Sequence, residues 1–202
     1  MWGLITKDLK NLKAQAKLFV ILGILYLFLG IQSGNFIMFG GFFILMASII
    51  PITALAYDER SKWDKYALTM PLSRTQLVLS KYLLGLLLSS IITVVTAIIQ
   101  CFFMPPLEAV ITASALFGAG LLITAILMPI TFKLGVEKGR VIMMVVFILP
   151  AILGVVLSKS GFSLPTLSVD PTLGIIGLIV GILAIYLLSL ALSVTFYKKK
   201  EF

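Results

Sequence analysis

FIMFGGFFILMASIIPITALAY (36–57), DERSKWDKYALTMPLSR (58–74) and QLVLSKYLLGLLLSSIITVVTAIIQCFF (76–103) follow one another almost without a break, and they decide the fold. The first run is uncharged, and the third carries one charge, Lys81. As helices rising 1.5 Å per residue, both exceed the roughly 30 Å of a bilayer's hydrocarbon core. An apolar run long enough to span is the recurring element. The same pattern recurs at about 18–33, 108–132, 141–158 and 173–196, with hydrophilic connections at 58–75 and 133–140. The sequence therefore predicts an all-α integral membrane protein with six transmembrane helices, residues 1–202 forming a single domain.

Composition agrees. Of 202 residues, 60% are apolar and 12% charged, with a mean hydropathy of +1.16. Soluble domains run near 45–50% and about 25%, which excludes a soluble enzyme and a disordered chain. The net charge of +8 raises nucleic acid as a partner, but the placement of the basic residues argues against it. They cluster beside the apolar runs, and 15 of the 16 Lys and Arg fall in 1–17, 58–81, 133–140 and 197–202; only Lys159 stands apart. Such a bias places those segments and both termini in the cytoplasm. A cleaved signal peptide is the competing reading of the start. It is disfavoured because no small-x-small cleavage site follows and five further spans do.

Three absences narrow the chemistry. None of the eight carboxylates (Asp8, Asp58, Glu59, Asp64, Glu108, Glu137, Asp170, Glu201) falls mid-span, which argues against an ion-coupled carrier. Lys81, about one and a half turns into the third span, is expected to snorkel to the interface. No Gly-Lys dipeptide exists, so the chain lacks a phosphate-cradling loop, and any ATP and Mg belong to another subunit. With no histidine and only Cys101, neither a metal site nor a hydrolytic constellation is expected.

Residues 1–17 read as an amphipathic helix. Trp2, Ile5, Leu9, Leu12 and Ala16 recur at helical spacing, with Lys7, Asp8, Lys10, Asn11 and Lys13 largely off that stripe. Such a helix is either a plain interfacial flank or an elbow that packs on a partner subunit. Within 58–75, Trp63, Tyr66, Ala67 and Met70 form an apolar stripe with Arg60, Lys62 and Lys65 around it. Pro71 disfavours further helix, and Ser73 with Gln76 reads as a capping box opening the third span. An aromatic pair held between two spans suits docking; the alternative is a helix resting on lipid headgroups.

The run Glu59, Tyr66-Ala67-Leu68, Met70-Pro71-Leu72-Ser73-Arg74, Leu77-Val78 and Lys81 resembles the second-to-third span region of ABC-2 type permeases. That resemblance implies a six-span subunit of an ATP-binding cassette exporter, served by a separate ATPase. It implies further that residues near 60–70, with Glu59, Arg60, Trp63, Lys65, Tyr66, Met70, Pro71 and Arg74, form a coupling helix received by that ATPase. An N-terminal elbow helix and a pair of permeases, identical or related, are implied too. Trp63-Asp64 stands where larger members carry Gly-Thr. This places the chain nearer the short bacterial branch, which includes permeases similar to the phenol-soluble modulin exporter.

In the third span, Lys81, Gly85, Ser89, Thr93, Thr96 and Gln100 share about a third of the helix surface. They form either a packing face or a pathway wall. Gly177 and Gly181 make a small-xxx-small pair suited to close helix contact, within the chain or across a dimer. Weakly polar walls suit amphipathic or apolar cargo: peptides, toxins, antibiotics or lipids. The different-class alternative is a non-transporting immunity or regulatory scaffold.

Overall fold

The structure, a computed structural model, describes residues 2–34, 36–67, 69–70, 72–159 and 171–199. The apolar runs become helices. In chain order they are α1 (Trp2–Ser33), α2 (Phe36–Arg60), the short α3 (Trp63–Ala67), α4 (Arg74–Cys101), α5 (Pro106–Leu134), α6 (Val136–Lys159) and α7 (Pro171–Lys198). No strand occurs among the described residues. α2, α4, α5 and the Gly177–Lys198 part of α7 are long and apolar enough to cross a bilayer. α1 bends by 68° between Gly3–Lys13 and Lys17–Ser33, and counts as a fifth candidate if the bent pair is one span. Against the six expected spans, the described residues thus support four, or five with the bent pair.

Local chemistry explains the boundaries. Ser73 Oγ accepts from Gln76 N at 3.2 Å, and Gln76 Oε1 accepts from Ser73 N at 3.0 Å, so the expected capping box opens α4. Pro106 stands first in α5, where its missing N–H is no loss. Gly135 separates α5 from α6 at φ +85°, a conformation that costs glycine little.

α2, α4, α5 and α7 form the centre of the bundle, with α1 against α2 and α4, and α6 chiefly against α5. Close approach depends on small residues. A Cβ at Gly85 would stand 2.8 Å from Pro51 Cγ, and one at Gly120 would stand 2.7 Å from Ile44 Cγ1. Pro129 lies inside α5 and has no N–H for the carbonyl four residues earlier, that of Ala125. Ser189 of α7 donates to that oxygen at 2.6 Å. A backbone acceptor freed at membrane depth is satisfied by a neighbouring helix.

Candidate functional site at the basic end

Five cross-helix contacts gather the basic segments at one end of the bundle. Lys7 and Lys81 meet Asp58, Arg74 Nη1 donates to Lys198 O at 2.6 Å, Val136 N donates to Glu59 Oε2 at 3.1 Å, and Lys133 Nζ lies 5.1 Å from the Phe196 ring centre. The same-sidedness inferred from charge counting is thus matched by packing. Two of the contacts serve helix ends. Arg74 caps the C-terminus of α7 and the Glu59 carboxylate sits at the N-terminus of α6, each with the sign the helix dipole favours.

Within this end lies a buried quartet. Lys81 Nζ is 2.7 Å from Asp8 Oδ2 and 2.5 Å from Asp58 Oδ2. Lys7 Nζ is 2.5 Å from Asp58 Oδ1 and 3.3 Å from Asp8 Oδ1, the last an ion-pair distance without hydrogen-bond geometry. Two cations and two anions alternate, so the cluster is neutral. Asp8 is 0% exposed and Asp58 and Lys81 each 5%, among Leu4, Leu55, Leu77 and Phe132. Charges so placed are tolerated because each faces its opposite.

The quartet corrects two expectations. Asp8 does not lie on the polar side of the N-terminal helix. The inward stripe is Leu4, Ile5, Asp8 and Leu12, while Leu9 is exposed. Nor does Lys81 snorkel to water, because Asp8 and Asp58 give it partners in the interior. The Trp2 side chain lies outside the described residues.

α3 is held beside the quartet. Lys7 Nζ stands 4.4 Å from the centre of the Trp63 ring, so one ammonium serves both the ion pairs and a cation–π contact. Trp63 packs on the core and Ala67 is fully buried, whereas Tyr66 is 64% exposed and Met70 47%. The expected stripe therefore divides. Trp63 and Ala67 anchor the helix, while Tyr66, Met70, Arg60 and Lys65 face outward. Pro71 lies outside the described residues. Lys62, at φ +52°, makes the reversal between α2 and α3.

Residues 3–198 match a family described as ABC-2 family transporter protein. The chain belongs to that family. No curated protein and no solved structure matches it. As an ABC-2 permease it is a multi-pass membrane component of an ABC transporter, in line with its apolar helices.

The remaining candidates of the permease sort by packing. On α4, Ser89, Thr96 and Gln100 are buried and Thr93 partly so. Ser89, Thr93 and Thr96 donate to carbonyls of their own helix, Ser89 to Gly85 O at 2.7 Å, Thr93 to Ser89 O at 2.8 Å and Thr96 to Thr93 O at 3.0 Å. Gln100 Nε2 reaches Phe36 O on α2 at 3.0 Å. Within the subunit Ser89, Thr96 and Gln100 are thus turned inward, and Lys81 at the base of the stripe belongs to the quartet. Nothing among the described residues lies within 4 Å of a Cβ placed on Gly177 or Gly181.

Sequence reasoning missed the Tyr82 cluster. Tyr82 Oη lies 2.6 Å from Ser189 Oγ and 2.8 Å from Ser193 Oγ, and Tyr186 Oη donates to Tyr82 O at 2.9 Å. Ser189 and Ser193, one turn apart on α7, were the available signal. Missed too was the zero net charge of Lys7, Asp8, Asp58 and Lys81.

Proposed function

We propose that this chain is the six-span permease subunit of an ATP-binding cassette exporter, both termini in the cytoplasm, which carries amphipathic or apolar cargo outward when a separate ATPase binds and hydrolyses ATP. One observation carries the reading. A short helix at the basic end is anchored by Trp63 and Ala67 and coupled through Lys7 to charges on α1, α2 and α4. Its Tyr66, and Met70 in the turn that follows it, are exposed. An element that is exposed outside and rigidly tied inside suits the transmission of motion. A loop that merely rests on lipid has no need of such anchoring.

In this account α3, with Arg60 and Lys65 at its rim, is the coupling helix. ATP and Mg sit on the ATPase, and this chain hydrolyses nothing. A second permease, identical or related, completes the transporter. The open face at Gly177 and Gly181, the exposed Leu9 and the N-terminal elbow supply surfaces for it. The test is purification of tagged chain from membranes, followed by assay of the ATPase that accompanies it. Tyr66→Ala with Met70→Ala should release that ATPase by roughly tenfold or more, large apolar groups at such contacts often costing 2 kcal/mol. A scaffold without transport predicts retention of the chain in the membrane with no ATPase bound.

A further inference from the structure

The base of α2 and the α5–α6 turn enclose a cleft of about 690 Å³ that takes no part in the quartet. Arg60, Lys138 and Arg140 line its mouth, and Thr53, Ala56 and Val136 its deeper wall. Of its two carboxylates, Glu59 is bound to Val136 N, and Glu137 is exposed. Among the described residues none of the three basic side chains is ion-paired. α6 packs chiefly on α5 and little on α2, which leaves the cleft a crevice between two helices rather than a pit within a loop.

We propose that this cleft binds the anionic headgroup of a phospholipid. Its phosphate would be held by Arg60, Lys138 and Arg140, with its first chain carbons along Ala56 and Thr53 of α2. Three arguments converge. The three cations of the cleft outnumber its two carboxylates, which favours an anion there, and guanidinium forks match phosphate oxygens in pairs. The cleft lies at the basic end, the level of the inner-leaflet headgroups, where basic pockets between spans recruit anionic lipids. On α2 its wall passes from Arg60 at the helix end to Ala56 and Thr53 one and two turns further in, from charged to weakly polar as an amphiphile's does. The proposal rests on the proposed orientation, basic end toward the cytoplasm, and shares Arg60 with the docking rim; the single Lys138 and Arg140 variants test the lipid site apart from ATPase docking.

Native mass spectrometry decides it. The purified chain is offered equal amounts of phosphatidylglycerol and phosphatidylcholine with identical acyl chains. Phosphatidylglycerol should be retained in preference. Arg60→Gln with Lys138→Gln and Arg140→Gln should weaken its retention about 100-fold, whereas Lys10→Gln with Lys13→Gln, exposed on α1, should not. Should the triple variant not purify, Lys138→Gln and Arg140→Gln singly should each cost about fivefold. Equal retention of both lipids, equal loss in the Lys10/Lys13 variant, or equal thermal stabilisation by inorganic phosphate alone would each overturn the proposal. So would a triple variant that loses an ATPase but keeps its lipid.

Discussion

Replacing Lys81 with Met removes the cation that bridges both carboxylates while keeping most of the unbranched stem, so the change is mainly electrostatic. Three charges then remain, with a net charge of −1 among Leu4, Leu55, Leu77 and Phe132. Asp58 keeps Lys7 at 2.5 Å, but Asp8 keeps only the 3.3 Å contact. Breaking a buried pair from one side costs about 3–5 kcal/mol, and the surviving Lys7 points to the lower end, about 3. At about 2–4 °C per kcal/mol for a chain of this size, the melting temperature should fall by about 6–12 °C. Thermal unfolding in nanodiscs, followed by intrinsic fluorescence, reads this directly. Adding Asp8→Asn restores neutrality and should recover about 1–2 kcal/mol of the loss, the non-additivity expected of contacting groups. Lys7→Met should cost less, about 1 kcal/mol, because its side chain is 24% exposed and water screens it. A Lys81→Met protein melting within about 2 °C of the parent, or a double variant less stable than the single, would show that the four charges do not act as a unit.

Other sites give independent checks. Ser189→Ala should cost about 1–3 kcal/mol by leaving Ala125 O without a donor, and Pro129→Ala in the same chain should restore much of it by returning an N–H; unfolding midpoints would show this. Gly85→Ala drives a methyl against the Pro51 ring at 2.8 Å and should cost about 1–3 kcal/mol, whereas Gly41→Ala, with nothing within 4 Å, should be near neutral in the same assay. A reporter fused after Phe202 should lie in the cytoplasm and a tag between 160 and 172 outside, as labelling of intact cells would reveal. An externally labelled C-terminus would reverse the proposed orientation.

How far the structure was legible in the sequence depends on the range of the interaction. The helices were legible because hydrocarbon demands long apolar runs, and the start of α4 because Ser73 and Gln76 satisfy each other three residues apart. Asp8 was misplaced because its hydrogen-bonded partner, Lys81, lies 73 residues away, beyond any periodicity argument. A stripe over five residues could not say which side of α3 faces the bundle. That was settled by Lys7, which draws Trp63 inward and leaves Tyr66 outside. Arg74 and Glu59 were grouped with the coupling helix through the family resemblance; their contacts to helix ends far along the chain were not legible there.

The central claim is that an external ATPase drives this permease through α3, and turnover measured on the reconstituted pair tests it most directly. The ATPase that accompanies the chain should hydrolyse ATP faster with the permease present than alone. Tyr66→Ala with Met70→Ala should weaken association roughly tenfold or more and lower the stimulation with it, while Lys81→Met should leave association intact and weaken the stimulation. An ATPase that binds and turns over identically with the parent chain, with the Tyr66/Met70 variant and with no permease at all would contradict the account.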